Sequence, residues 1–171
     1  MFKIHEVSGE KSKAEICNNI LRALPEWFGV EESIVDYCKK VKLMLFYAAY
    51  ENDEPVGFLA VKVHNNFSAE VYVMGVLKEN HRQGIGKALI KKCEEYCYEC
   101  RIEFLTVKTL DASRKDEGYS NTRVFYLTMG FRPLEVFPLY WDKHNPCLFM
   151  AKYLPPAPSE KDLARQMVQD E

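Results

Sequence analysis

Residues 70–100 hold the feature that most constrains the fold: an alternating strand, a polar turn and an amphipathic helix. The turn contains two glycines and reads Arg82-Gln83-Gly84-Ile85-Gly86-Lys87. In such a unit, backbone N–H groups and the positive end of the helix dipole converge on one point. A phosphate or pyrophosphate is the ligand that this arrangement favours. The same residues also fit a plain strand-to-helix turn whose glycines serve packing.

Two common nucleotide-binding motifs do not fit this turn. A P-loop requires a glycine and a Ser or Thr at positions where the sequence has His81 and Ala88. The Rossmann fingerprint requires a third glycine where the sequence has Leu89. The failed P-loop argues against a nucleotide-dependent kinase. A cradle for a single pyrophosphate remains, to which Arg82 and Lys87 add positive charge.

Composition limits the class of protein. The chain has 171 residues, 47% of them hydrophobic and 28% charged, which is typical of one globular domain. Its net charge of −2 argues against a nucleic-acid partner. No stretch approaches the roughly 20 apolar residues of a membrane span, and the N-terminal residues lack the apolar core of a signal peptide. We therefore expect a cytoplasmic protein with reduced cysteines and no membrane partner.

Three cysteines share one face of the predicted helix. Cys93, Cys97 and Cys100 are spaced by four and three residues. A metal site needs ligands from more than one direction, and no second Cys or His pair lies nearby in sequence. The spacing therefore favours buried packing over a metal or redox site, and no metal is predicted.

The hydrophobic pattern predicts strand, two helices, a three-strand meander, helix, strand, helix and two strands over residues 1–154. A charged loop is expected over 111–120, a short helix over 121–129 and a loop over 138–146. This order predicts an α/β fold of the α+β type, with a mixed, mostly antiparallel sheet of six to seven strands and helices on both faces. Residues 155–171 are expected to form a polar C-terminal tail.

Two motifs resemble those of the GNAT superfamily of acetyl-CoA-dependent N-acetyltransferases. The segment 81–86 is similar to motif A, Gln/Arg-x-x-Gly-x-Gly/Ala after a strand, although His81 replaces the usual Arg or Gln. The segment 125–131 is similar to the Phe/Leu-Tyr-x-x-x-Gly-Phe motif. The order of elements also matches from about Phe2 to Tyr153. The sequence is therefore identified as a GNAT member with one acetyltransferase domain over residues 1–154.

The resemblance implies acetyl-CoA as cosubstrate and a sheet that splays after the motif A strand, where pantetheine inserts. The matching stretch is Met74-Gly75-Val76, and a glycine inside a strong strand is typical of a bulge or of a close backbone approach. The backbones of Val76 and Leu77 are then expected to contact pantetheine. Asn121 lies two residues after Tyr119, which stands where many relatives have an Asn that contacts CoA. The further expected cofactor-binding residues are Met74, Arg82, Gln83, Gly84, Ile85, Gly86 and Lys87.

Acetyl transfer to an amine requires two proton transfers, one from the amine and one to the leaving thiolate. A free alkylamine has a pKa of about 10, so a base or an ordered water must remove a proton. The resemblance assigns this role to Glu70, which lies fourteen residues before Gly84 as in the histone-acetylating branch. Strand alternation is expected to place Glu70, Tyr72 and Met74 on one face. The resemblance assigns protonation of the leaving thiolate to Tyr126. The alternative for Glu70 is an exposed residue on the strand without a catalytic role. The alternative for Tyr126 is a tyrosine that packs in the core.

The acceptor pocket is expected between the first two helices and the late loop. Trp27, Phe28 and Trp141 are its predicted residues, and aromatic rings with the carboxylate of Asp142 suit a small cationic amine. Each residue fits a lid or core position equally well, and Arg123 fits either a phosphate contact or solvent.

The sequence thus predicts an N-acetyltransferase acting on a small-molecule or peptide amine, as a monomer or homodimer. Polyamines, aminoglycosides, amino acids, peptide N-termini and protein lysines all remain open as acceptors. A non-catalytic CoA-binding sensor or interaction module with the same fold is the alternative.

Overall fold

A seven-stranded sheet forms the centre of residues 1–156, the range that the computed structural model describes. The strands are β1 (Lys3–Glu6), β2 (Leu45–Glu51), β3 (Glu54–Asn65), β4 (Ser68–Val76), β5 (Phe104–Leu110), β6 (Arg132–Asp142) and β7 (Asn145–Tyr153). The helices are α1 (Glu10–Arg22), α2 (Glu31–Lys40), α3 (Ile85–Glu99) and α4 (Glu117–Thr128). The predicted tail from residue 157 onward lies outside the described residues.

The strand order is β1-β2-β3-β4-β5-β7-β6. Only β4 and β5 run parallel among the described strands, and every other neighbouring pair is antiparallel. The predicted fold class, a mixed and mostly antiparallel sheet, is therefore confirmed. In the same range, no helix has both the length and the apolar character needed to cross a membrane.

Helices cover both faces of the sheet because each presents an apolar stripe at helical spacing. On one face, α1 buries Ile16 and Ile20. On the other face, α3 buries Leu89, Cys93 and Cys97. Cys93 and Cys97 are thus core residues, whereas Cys100, just beyond the end of the helix, is exposed.

Gly75 lets α1 pack closely on β4. A Cβ atom at this position would lie 3.0 Å from Ile20 Cγ2 and 3.2 Å from Leu24 Cδ1. Gly75 pairs in regular register with Phe58 on β3. Of the two predicted reasons for this glycine, the bulge at residues 74–76 is wrong and the close approach of another element is confirmed, because the glycine serves contact between helix and sheet.

The irregularity in β4 lies at Tyr72 instead. The register of β3 and β4 shifts between Ala60 and Val61, which leaves Tyr72 as the extra residue. One extra residue reverses the alternation of side chains that follow it. Met74 accordingly packs on the core beneath α3, whereas Glu70 lies on the side of α1 and α2. The prediction that Glu70, Tyr72 and Met74 share one face is wrong for Met74.

The pairing of β4 with β5 ends at the bulge. The parallel ladder runs from Ser68–Phe104 to Val71–Val107 and then stops. Beyond this point β4 continues to Val76, and β5 continues to Leu110 while it stays paired with β7. The two strands therefore part and leave a gap, as the resemblance to the GNAT sheet predicted.

Two sequence-based boundaries differ from the structure at the C-terminal end. The predicted loop over 138–146 is wrong, because β6 extends to Asp142 and β7 begins at Asn145. Asp142 Oδ1 accepts hydrogen bonds from the backbone N–H groups of His144 (2.7 Å) and Asn145 (3.1 Å), which closes a tight turn. Pro138 is tolerated because β6 is an edge strand.

Helix α4 begins at Glu117 rather than at the predicted Asn121. The Asp116 side chain caps it, because its Oδ1 accepts a hydrogen bond from Tyr119 N at 2.9 Å. The last part of the predicted charged loop is therefore the N-cap and first turn of this helix.

Candidate active site

The turn between β4 and α3 has the backbone conformation of an anion site. Arg82 and Gly84 have positive φ angles of 60° and 85°, and α3 begins at Ile85. Such alternation turns successive N–H groups towards one side, and the first N–H groups of the helix have no intrahelical acceptor. A Cβ at Gly84 would meet nothing within 4 Å, so conformation rather than space favours glycine there.

The side chains of this turn divide into two groups. Arg82 and Lys87 are exposed, and the first turn of α3 contains no acidic residue. Gln83 Nε2 donates to the Glu79 carbonyl oxygen at 3.0 Å, which braces the turn, and Ile85 is buried in the core. Of the predicted cradle residues, Arg82 and Lys87 therefore supply exposed positive charge at the turn.

Gly86 brings the start of α3 against α4. A Cβ at Gly86 would lie 3.2 Å from Phe125 Cζ and 3.5 Å from Met74 Cε. The second glycine of the motif is therefore required by space, in contrast to Gly84.

The backbone of Val76 faces the gap. Leu77 N donates to the Val56 carbonyl oxygen at 2.9 Å, so by ladder alternation the polar groups of Val76 and Met74 point away from β3. The Leu77 carbonyl accepts from Asn80 N at 2.9 Å. Both backbone groups of Leu77 thus already take part in hydrogen bonds within the chain, and the backbone contact from Leu77 to pantetheine stays a prediction.

His81, the departure from the family motif, fixes the end of β4. Its Nε2 donates to the Val76 carbonyl oxygen at 2.8 Å. The Trp27 ring stands edge-on to the His81 ring, with 5.8 Å between centroids. This histidine therefore ties the anion-binding turn to the strand and to the loop after α1.

Trp27 joins that loop to α4. Its Nε1 donates to Thr122 Oγ1 at 3.1 Å, and its carbonyl accepts from the Tyr119 hydroxyl at 2.8 Å. A Cβ at Gly118 would lie 3.0 Å from the Trp27 ring, which shows how closely the two elements pack. Trp27, predicted as a wall of the acceptor pocket, thus also holds two elements together at the gap.

A buried hydroxyl lies on β5 beyond the point where the strands part. Thr109 is 3% exposed, and its Oγ1 has no hydrogen-bond partner among residues 1–156. Leaving such a group unpaired costs about 1–3 kcal/mol.

Tyr126 lies in the core on the α3 side of the gap. It is 6% exposed, and its ring packs against Phe125 and Phe131 at centroid distances of 5.3 and 5.5 Å. Burial raises the pKa of the Tyr126 hydroxyl above its usual range, and Tyr119 and Tyr37 raise it further. This hydroxyl therefore stays protonated at neutral pH.

Glu70 lies at the centre of a buried charged cluster. It is 4% exposed, which rules out an exposed strand glutamate. Lys108 Nζ donates to its Oε1 at 2.6 Å, and His64 Nε2 donates to its Oε2 at 2.8 Å. Burial lowers the pKa of Lys108, but the hydrogen bond to Glu70 and its charge outweigh burial and raise the pKa above its usual value.

Aromatic residues surround this cluster. Phe28 stands edge-on to Tyr37 at 6.1 Å, and Tyr37 stands edge-on to Tyr72 at 5.5 Å. Lys108 Nζ lies 5.3 Å from the centroid of Tyr140, against which Trp141 packs edge-on. Phe28 therefore belongs to one group of rings with Tyr37 and Tyr72, and Trp141 belongs to a second group with Tyr140, although Trp141 lies on β6 rather than in a loop.

Three other predicted contacts lie elsewhere. Arg123 Nη1 donates to the Leu110 carbonyl oxygen at 2.9 Å, so it holds the end of β5. Asn121 is exposed in the second turn of α4. Asp142 is engaged in its own turn, where hydrogen bonds from Asn145 and the His144 N–H lower its pKa.

Sequence reasoning missed His64, Lys108 and Tyr37. Lys108 gave one signal, because it is a charged residue inside the otherwise apolar strand β5. Its partner Glu70 is 38 residues away, and only the parallel pairing of β4 with β5 brings the two together.

The fold and the site together define a class of protein: an α/β protein with an anion-binding turn beside a parted sheet. The family model described as Acetyltransferase (GNAT) domain matches residues 43–133. The chain therefore belongs to the GNAT acetyltransferase family and is an acyltransferase. No curated protein sequence matches it.

Solved structures share the fold at low sequence identity. The ribosomal-protein-S18-alanine N-acetyltransferase of Escherichia coli is 15% identical, covers 94% of this chain and 98% of its own, and has a TM-score of 0.73. An aminoglycoside 6'-N-acetyltransferase in complex with coenzyme A is 19% identical, with 92% and 99% covered and a TM-score of 0.72. A GNAT acetyltransferase from Elizabethkingia anophelis with acetyl-CoA bound is 18% identical, with 90% and 98% covered and a TM-score of 0.69.

Proposed function

We propose that this protein transfers the acetyl group of acetyl-CoA to a primary amine. The observation that carries the proposal is the gap between β4 and β5, which opens beside the N–H groups of the turn at residues 82–87. Two of the structural neighbours hold coenzyme A or acetyl-CoA, which supports the same cosubstrate here. The catalytic domain is proposed to span residues 1–154.

The donor is proposed to bind at two places. The backbone N–H groups of residues 83–87, with Arg82 and Lys87, suit the pyrophosphate. The backbone polar groups of Met74 and Val76 face the gap and suit the amides of pantetheine, while the carbonyl of Val76 is shared with His81.

Two proton transfers complete the proposed reaction. The amine nitrogen attacks the thioester carbonyl carbon, the C–N bond forms and the C–S bond breaks. Tyr126 then gives its proton to the leaving thiolate, and the phenolate recovers a proton from solvent before the next turnover. Burial raises the pKa of the Tyr126 hydroxyl, so the proton is present at neutral pH when the thiolate forms. The sulfur leaves as the thiol of CoA.

Glu70 is the proposed acceptor of the proton that the amine loses. The carboxylate is held in place by Lys108, and His64, whose side chain is 34% exposed, connects Glu70 to solvent. An ordered water is the competing base.

The experiment is thiol release from acetyl-CoA against a broad panel of primary amines, together with the melting temperature in the presence of acetyl-CoA. A ligand at 100 times its Kd stabilises the folded state by about 2.7 kcal/mol, so a clear rise in Tm is expected. Thiol release that depends on an amine supports acetyl transfer. A rise in Tm without release from any amine would leave only a CoA-binding module, and no rise would overturn the whole proposal.

Reduced thiols support a cytoplasmic location. The six cysteines of the chain are all free in the structure, and four of them are buried. Unpaired cysteines are typical of proteins kept in a reducing compartment.

A further inference from the structure

The face of the gap that holds Glu70 carries more positive than negative charge. Glu70 is already engaged by Lys108. Lys62 pairs directly with Glu70 across β3 and β4, and its Nζ lies 5.9 Å from the centroid of Tyr72. Within residues 1–156, Lys62 forms no ion pair. The remaining carboxylate near Tyr72, that of Asp36, is paired with Lys40 at 2.6 Å.

This balance of charge does not suit a polycationic acceptor. A polyamine or aminoglycoside carries several ammonium groups, each of which needs a carboxylate or a strong acceptor when it leaves water. The carboxylates of Glu70 and Asp36 already have cationic partners, and Lys62 would repel a further ammonium group. An acceptor that brings its own negative charge fits better.

The pair formed by Lys62 and Glu70 is complementary to one common chemical group. Side chains directly opposite each other on two strands have Cβ atoms about 4.5–5.5 Å apart and share a face. A free α-amino acid carries an amine and a carboxylate on a single carbon, with opposite charges in close proximity. We propose that the acetyl acceptor is a free α-amino acid, with its carboxylate on Lys62 and its amine towards Glu70.

The aromatic rings near this pair indicate the type of side chain. Lys62 Nζ lies over the Tyr72 ring, and Tyr37 packs edge-on against Tyr72. Tyr140 lies beside Lys108, the partner of Glu70. Apolar walls with few polar groups are typical of small-molecule sites. The acceptor is therefore an amino acid with an apolar or aromatic side chain. This inference depends on the acetyl transfer proposed above, whose substrate class it names.

The test compares amino acids with the same molecules lacking the carboxylate. The pairs are phenylalanine with phenethylamine, leucine with isoamylamine, and methionine with 3-methylthiopropylamine. We expect kcat/KM for at least one amino acid to exceed that of its amine by tenfold or more. Lys62→Met should lower kcat/KM for that amino acid about tenfold, mainly through KM, and should not lower kcat/KM for the amine, whose ammonium group Lys62 repels.

Lys11→Met is the matched control, because Lys11 has a side chain that is 90% exposed on α1. It should behave like wild type with every acceptor. If the amines are acetylated as well as the amino acids, or if Lys62→Met affects both alike, the inference is overturned while acetyl transfer stands. If no primary amine of any kind releases thiol, both proposals fail, and the two failures are thereby distinguished.

Discussion

Glu70 and Lys108 form the buried ion pair on which the candidate site depends. Both side chains are largely shielded, with 6% and 18% exposed. Lys108→Met leaves a buried carboxylate with His64 as its one remaining side-chain partner among the described residues. Breaking a buried pair from one side costs about 3–5 kcal/mol. We therefore expect a loss of about 3 kcal/mol in the free energy of unfolding, measured by urea denaturation.

A double variant separates the contribution of the ion pair from that of side-chain packing. Glu70→Gln combined with Lys108→Met removes both charges, so the double variant should lose less stability than the sum of the single variants. A Lys108→Met variant that loses less than about 1 kcal/mol would mean that Glu70 does not need the ammonium group for burial.

Tyr126 is the residue for which activity and packing are most easily separated. Tyr126→Phe keeps the ring between Phe125 and Phe131 and removes only the hydroxyl. Because general acid catalysis contributes about 10²–10⁴-fold, we expect kcat to fall at least about 100-fold. The rise in Tm with acetyl-CoA should be unchanged. Tyr98→Phe, at an exposed position on α3, is the control and should keep full activity. Unchanged kcat in Tyr126→Phe would contradict the proposed acid role.

At the scale of elements, the start of α4 is held by one side chain. Asp116 caps the helix whose first turn carries Tyr119 and contacts Trp27. Replacing an N-cap Asp by Ala costs about 1 kcal/mol, whereas Asn caps nearly as well. Asp116→Ala should therefore lower the free energy of unfolding by about 1 kcal/mol, and Asp116→Asn should change it little. Equal losses in chemical denaturation of the two variants would show that the charge, not the cap, matters.

Patterns of neighbouring residues in the sequence predicted the strands and helices, whereas the position of the bulge depends on pairing between residues that are distant in the sequence. The order of strands and helices follows from the hydrophobic pattern over residues 1–154, and the glycine turn and the opening of the sheet follow from the motifs within 70–100 and 125–131. The bulge at Tyr72 was not predicted, because it is defined by the register of β3. Gly75 indicated either a bulge or a close approach, and only its distance to Ile20 on α1 shows that the second is correct.

The candidate site was predicted in the same uneven way. Motif resemblance located Glu70, Tyr126 and the turn, because these residues lie at fixed offsets from the glycines. The partners of Glu70 were not found. Lys108 lies on β5, which pairs in parallel with β4, and His64 lies on β3, the strand before β4. Both contacts with Glu70 depend on the pairing of strands, which the residues next to Glu70 in the sequence do not reveal.

At the scale of the molecule, the sheet is two ladders joined by a short parallel segment. β1 to β4 form one ladder and β5, β7 and β6 the other, and they pair only from Ser68 to Val71 on β4. The gap that continues this seam lies between α1 and α2 on one face and α3 on the other. A ligand in the gap would therefore contact both ladders, and its binding would link them beyond their few direct hydrogen bonds.

The stability of this fold depends on pH because it buries thiol and tyrosine hydroxyl groups. Burial raises the pKa of Cys147 on β7 from 9.0 to about 11, and it raises those of Tyr47 on β2 and Tyr119 on α4 from 10.0 to about 12. The folded state therefore holds these protons more tightly than the unfolded chain does. Stability is fully present below about pH 9 and is lost as pH rises towards 11 for Cys147 and 12 for the tyrosines.

The alkaline limb therefore begins with the buried thiols. Burial raises the pKa of Cys17 above 9.0 as it does that of Cys147, and a hydrogen bond with Cys97 together with burial raises that of Cys93. Tm should fall by at least about 3 °C between pH 9 and pH 11, since about 1 kcal/mol corresponds to 2–4 °C in a protein of this size. Cys147→Ala lacks one of these thiols, so it should have a lower Tm at neutral pH because of the cavity, but a flatter profile between pH 9 and 11. Differential scanning calorimetry across this range measures both. Parallel profiles for the two proteins would mean that the Cys147 thiol contributes nothing to the loss.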